Sequence, residues 1–183
     1  MEQKLDLSKV LYFDTETTGV KDDARIVQLA WSFGGKDKNY IIRPDGCEIP
    51  AEASAIHGIT TERAMAEGVP IADAMKEFLE DAMQAEYMCA HNLKFDRARV
   101  MNEIFLLFFA KERCFDTMWS TIDYVKAPQK DGRGGYKWPK LSELRDKLIE
   151  DGKTFSDFNA HDANEDVKAL RECHKYLVEM GLM

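Results

Sequence analysis

The sequence lacks the features that place a chain in a membrane or in an oxidising compartment. Its longest apolar run, Ile104 to Ala110, is about two helical turns and too short to span a bilayer. The first residues, Met1-Glu2-Gln3-Lys4-Leu5-Asp6, are too polar for a secretory leader. Cysteine is sparse: Cys47, Cys89, Cys114 and Cys173 are widely spread, without a C-x-x-C pair. They read as buried thiols in a reducing compartment rather than a disulfide framework. Excess positive charge is also missing. With 33 Asp+Glu against 25 Lys+Arg the formal charge is -8, which argues against a non-specific duplex binder that must neutralise phosphates. It leaves room for a nucleic-acid enzyme whose site is made positive by metal ions. No internal repeat and no linker interrupts the chain, so one cytoplasmic domain over residues 1–183 is expected.

What is present suffices for a core: 45% of residues are hydrophobic and 32% charged. Val10 to Asp14 reads as a buried strand ended by the turn Thr17-Thr18-Gly19. Arg25 to Phe33 and Asn39 to Arg43 continue it as an antiparallel meander. After Pro50 the period becomes helical. Short helices are expected at 51–56 and after Thr60 or Thr61, and an amphipathic one over Ile71 to Gln84. Tyr87 to Ala90 and Arg113 to Asp116 read as two more strands, with helices over Phe95 to Ala110 and Thr117 to Val125. Residues 126–140 form a flexible basic loop containing Lys130, Arg133, Lys137 and Lys140, with Tyr136 and Trp138 interleaved. Helices at Leu141 to Ile149 and Ala163 to Met180 close the chain, the latter behind a capping box of Asp162 and Glu165. Strands followed by alternating helices and strands give an α/β fold.

Three short stretches carry chemistry. Asp14 and Glu16, at i and i+2, point to one side of the first strand, and two adjacent carboxylates are costly without a cation between them. Asp96 follows a strand end, where ligands gather in open α/β sheets. His161 and Asp166 come together at the start of the last helix, and a histidine there suits a general base. Four carboxylates and one histidine suit two divalent cations clamping a phosphodiester; hard oxygen donors favour Mg²⁺ or Mn²⁺. His91 reads as structural, and His174 has no assigned role.

These motifs, Phe13-Asp14-Thr15-Glu16-Thr17-Thr18-Gly19, His91-Asn92-x-x-Phe95-Asp96 and His161-x-Ala163-x-x-Asp166, resemble the DEDDh branch of 3′-5′ exonucleases. That branch includes the proofreading subunit of bacterial DNA polymerase III and RNase T. Ala55-Ile56-His57-Gly58-Ile59-Thr60 is similar to the family's loop beside the terminal nucleotide. The resemblance implies an RNase H-like mixed five-stranded sheet flanked by helices. It implies hydrolysis of the 3′-terminal phosphodiester of single-stranded DNA or RNA, releasing nucleoside 5′-monophosphates. Asp14 would bridge two metals, Glu16 and Asp166 complete the first, Asp96 hold the second, and His161 take the proton from the attacking water. Substrate contacts are implied at Thr15, Thr17, Glu52, His57 and Asn92.

Two other readings compete. A haloacid dehalogenase-type phosphatase also begins with a strand ending Asp-x-x-x-Thr, but needs Asp where Glu16 stands. A non-catalytic nucleic-acid or polymerase-binding module could keep the fold, but the full carboxylate set speaks against it. No tail of the kind that the proofreading subunit uses for its polymerase is expected, and a homodimer stays open. No membrane partner is expected.

Overall fold

The structure is a computed structural model that describes residues 5–103, 113–129 and 134–183. Five strands form one mixed sheet in the order β3-β2-β1-β4-β5. β1 (Val10–Thr17), β2 (Ile26–Phe33) and β3 (Lys36–Ile41) make the antiparallel meander; β4 (Tyr87–Ala90) and β5 (Cys114–Asp116) add in parallel beyond β1. α1 (Ala51–His57), α2 (Thr61–Glu67) and α3 (Ile71–Ala82) link β3 to β4, and α4 (Leu93–Glu103) follows β4. After β5 come α5 (Thr117–Ser120), α6 (Ile122–Val125), α7 (Leu141–Glu150) and α8 (Ala163–Glu179).

The sheet is covered on both faces. Leu11, Phe13, Leu29 and Trp31 pack with Ala74, Met75 and Phe78 of α3 and Val100 of α4. Val10, Tyr12 and Ala30 pack on the other face against Val167 and Leu170 of α8. Burial of such side chains, each worth about 1.5–3 kcal/mol, is what fixes the two helical layers on the sheet. Trp31 places its indole in this core while its Nε1 donates to Asp81 at 2.7 Å, so the indole N–H is not left unpaired. Among the described residues no helix is long and apolar enough to cross a membrane.

Several expectations need correction. β1 runs three residues beyond Asp14, because β2 keeps pairing with it as far as Thr17; Thr17 therefore belongs to the strand. The helix expected over Thr117 to Val125 breaks at Thr121, whose hydroxyl donates to the Thr117 carbonyl at 2.6 Å and so competes with the helical ladder. Asp162 caps α8, but Glu165 bonds Lys168 instead of returning a capping-box contact. Cys89 and Cys173 are buried thiols, whereas Cys47 and Cys114 are half-buried. The continuation of α4 to Ala110 lies outside the described residues, as do Lys130 and Arg133. The described ends of the basic loop are held: Lys137 N donates to the Ala127 carbonyl, and Pro128 bridges Tyr136.

Candidate active site

β1 alternates faces. Val10 and Tyr12 look toward α8, and the same period carries Asp14 and Glu16 to that face. The pairing between β1 and β4 ends at Tyr12 with Cys89, so the last part of β1 is paired on the β2 side alone. The Thr15 N–H, directed away from β2, meets a side chain instead of a strand. Asp96 Oδ1 accepts from Thr15 N at 3.1 Å and from Thr15 Oγ1 at 2.7 Å. Asp96 stands in the first turn of α4, where the helix dipole favours an anion. The register of β1 against β2 shifts between Glu16 and Thr17, the kind of irregularity that re-aims side chains beside a site.

The second half of the site hangs on the start of α8. Asp162 accepts from Asn164 N at 3.0 Å and Glu165 N at 3.4 Å. Gln28 of β2 anchors this turn to the sheet: its Oε1 accepts from Ala163 N at 3.2 Å and its Nε2 donates to Asn39 Oδ1 at 3.0 Å. Asp166, one turn into α8, accepts from His161 N at 3.0 Å. His161 has φ 68, a left-handed conformation that turns the chain sharply into the cap and leaves the imidazole exposed. Glu16, His161 and Asp166 each offer one ligand atom, all within 4.8 Å of one another.

The electrostatics are those of crowded anions. Burial first, then Asp96, Asp166 and Glu16, pushes the Asp14 carboxyl well above the ordinary range. Asp14 thus feels the charges of Asp96, Asp166 and Glu16 together. Burial and the charges of Asp166 and Asp96 push Glu16 up to about 8. Asp96 is raised to about 7 by burial, against the lowering effect of the two Thr15 bonds. Asp166 is raised to about 7, again by burial, with Asp162 and Glu165 adding repulsion. The charged neighbours acting on Asp14 are all carboxylates.

The remaining residues fall around this centre. His57, at the end of α1, is buried; its Nδ1 accepts from Ile59 N at 3.1 Å, and Nε2 has no partner. Burial lowers its pKa, partly offset by the Thr17 backbone, and His161 lies near enough to lower it further. Gly58, with φ 73, makes the left-handed turn that aims this ring. Glu52 is exposed on the first turn of α1. The Thr17 hydroxyl donates to the Gly19 carbonyl at 2.7 Å, closing the turn after β1. Asn92 has φ 76, and its N–H donates to Asp116 Oδ1 at 3.2 Å. His91 is held at both nitrogens, by Thr117 Oγ1 and the Pro139 carbonyl, each at 2.9 Å. Sequence reasoning missed Gln28 and Asp116. Gln28 was detectable as the lone polar side chain long enough to reach across in the buried strand Ile26–Phe33. Asp116 was detectable as an Asp-Thr helix start.

Carboxylates from a central strand, a crossover helix and a C-terminal helix define a nuclease-type acidic site on an α/β sheet. Comparison with known proteins agrees. The RNase_T family, described as Exonuclease, matches residues 11–173. An uncharacterized exonuclease of Escherichia phage 186, CP81, is 33% identical over 140 residues, covering 72% of this chain and 70% of that protein. Exonuclease X in complex with 5′-overhanging duplex DNA superposes with a TM-score of 0.63 at 23% identity, covering 93% of this chain and 92% of that one. E. coli exonuclease I in complex with a dA16 oligonucleotide gives a TM-score of 0.69 at 20% identity, covering 94% of this chain and 42% of that one. The chain belongs to this exonuclease family, in its DEDDh, 3′-5′ branch. The neighbours also share its RNase H-like fold.

Membership brings dependence on divalent metal ions. The residues present fit such an ion: oxygen donors predominate, and the crowded carboxylates at Asp14 hold one another's pKa values up unless a cation lies among them.

Proposed function

We propose that this exonuclease removes nucleoside 5′-monophosphates from single-stranded 3′ ends, using two divalent cations, Mg²⁺ or Mn²⁺, held by Asp14, Glu16, Asp96 and Asp166. The observation that carries this reading is the gathering of Glu16, His161 and Asp166 within 4.8 Å of one another, with Asp14 buried among carboxylates that all raise its pKa. That gathering supplies anionic oxygen donors for cations. When bound, the cations would polarise the phosphodiester and stabilise the charge on the attacking and leaving oxygens.

The chain's own residues do the rest. Thr15 fixes Asp96 through two hydrogen bonds, so that carboxylate stays aimed at the end of β1. Asp166 holds the His161 backbone, which leaves the imidazole free to accept the proton of the attacking water. A proton taken at the exposed ring can pass to solvent. His57, close to both Thr17 and His161, would contact the terminal nucleotide together with Thr15, Thr17, Glu52 and Asn92. That one solved neighbour, exonuclease I, is in complex with a dA16 oligonucleotide supports a single-stranded end as substrate.

The test is digestion of matched 3′-labelled and 5′-labelled oligomers, DNA and RNA, single-stranded and duplex, with Mg²⁺ or Mn²⁺. Mononucleotide release from 3′ ends, abolished by EDTA and by Asp14→Ala, is the expected result. Digestion from 5′ ends, or undiminished cleavage by the Asp14→Ala protein, would overturn it.

A further inference from the structure

Trp119 and Trp138 pack against one another at the surface in a tilted arrangement, with ring centroids 5.3 Å apart and an angle of 48° between planes. Each is more than half exposed, 52% and 59%. Two large indoles open to water would gain by burying their faces elsewhere, and their exposure here has a structural cause. Trp119 stands on α5, whose first turn is capped by Asp116, and Trp138 precedes the buried Pro139. His91 clasps both supports, through Thr117 Oγ1 and the Pro139 carbonyl.

The same His91 begins the turn into α4, and Asp116 Oδ1 accepts both Asn92 N and Trp119 N, at 3.2 and 3.3 Å. The indole pair is thus tied by single hydrogen bonds to the turn that positions Asp96. It stands on the β4–β5 side of the carboxylates, whereas His57 stands beside Thr17 and His161. Local charge also differs from that of the whole chain. Lys94, Lys126 and Lys140, all exposed, flank these segments in a protein of net charge -8. An exposed aromatic pair with lysines close by in the chain, linked through Asp116 to the turn before Asp96, matches the chemistry of single-stranded nucleic acid.

We propose that Trp119 and Trp138 form a stacking platform for an unpaired base upstream of the scissile phosphodiester, which selects single-stranded 3′ ends several nucleotides long. This rests on the exonuclease reading and adds to it the part of the substrate that is not cut. A base in a duplex hides both faces and cannot use the platform; an abasic position has no face to offer.

Two measurements test it. The chain has three tryptophans, and Trp31 is buried, so ligand-dependent fluorescence reports on Trp119 and Trp138. In EDTA, an oligothymidylate about twelve nucleotides long should quench this emission through base–indole stacking, and thymidine 5′-monophosphate should not. In kinetics, the preference in kcat/KM for that oligomer over a dinucleotide should fall about 5- to 150-fold in Trp119→Ala, Trp138→Ala, the span expected for one stacked base. Trp119→Phe, Trp138→Phe should recover most of it, and an oligomer with abasic upstream positions should lose the preference on the wild-type enzyme. An unchanged length preference in the Ala variant, with no quenching in the wild type, overturns the platform. A change in oligomeric state by sedimentation, with the length preference intact, also overturns it and assigns the indoles to a protein contact. If the wild type cuts neither substrate, the exonuclease reading fails, and the fluorescence result still decides the platform.

Discussion

Thr15 gives both its backbone N–H and its hydroxyl to the Asp96 carboxylate, at 3.1 and 2.7 Å. The contact joins the central strand to the crossover helix where the β1–β4 ladder has ended, and it holds down a carboxyl that burial otherwise raises. Thr15→Val keeps the shape and the N–H bond but removes the hydroxyl donor. We expect kcat to fall roughly 10- to 100-fold, the usual cost of losing a residue that orients a ligand. The midpoint of Mg²⁺ activation should move to higher concentration, which steady-state assays across a metal titration will show.

His161 is exposed, and the bond from this residue to Asp166 is made by its backbone. His161→Ala should therefore leave folding intact, by circular dichroism and thermal unfolding. Its kcat should drop by roughly 10²–10⁴-fold, the span of a lost general base.

The carboxylate cluster makes metal binding and pH act together. Glu16, at about 8 in the folded protein, has its folded pKa raised, as do Asp14, Asp96 and Asp166. In the metal-free protein the folded state thus holds protons that the unfolded chain has already lost. Stability declines as pH rises from the ordinary carboxylate range toward 8. A divalent cation reverses this by taking the place of the protons. The increase in Tm on adding Mg²⁺ should be larger at pH 8 than at pH 6, with EDTA abolishing the difference. Asp14→Asn should raise the metal-free Tm at pH 8 by relieving the repulsion.

His174 works in the opposite sense. It is fully buried on α8, 3.0 Å from the Tyr12 hydroxyl and stacked near Phe115, and burial lowers its pKa to about 4. The unfolded chain takes up this proton first as pH falls, so the folded state loses stability between about 6.5 and 4. The full loss is on the order of 3 kcal/mol. Urea unfolding at pH 7 and pH 4.5 should show a steeper fall for the wild type than for His174→Gln, which carries no proton to lose or gain.

The sheet was largely legible. Buried runs of Leu, Val, Ile and aromatic residues, broken by Gly34-Gly35 and by the change of period after Pro50, located all five strands and α3. Legibility failed where a local rule met a competing bond. The Thr121 hydroxyl divides a helix whose apolar period looked continuous, and the partner strand extends β1 past residues that read as a turn. Asp14, Glu16, Asp96, His161 and Asp166 could be picked as candidates from their spacing and from family resemblance. Gln28 and Thr15 could not be given their roles, because each acts on a residue more than 80 positions away.

What the sequence by itself determined is the chemistry available. Its alternation puts Asp14 and Glu16 on one side of a strand, and its helix starts put Asp96 and Asp166 where anions are favoured. Tertiary structure decided which of these groups share a site. The β1–β4 ladder stops at Tyr12, so α4 can bring Asp96 to Thr15, and Gln28 clamps the start of α8 so that Asp166 and His161 face Glu16. The physical reason is range: periodicity acts over a few residues, whereas the charges that raise one another's pKa here come from three elements spread over the whole chain. The contact of Trp119 with Trp138 is of the same kind, with the segments that carry them both bonded to His91.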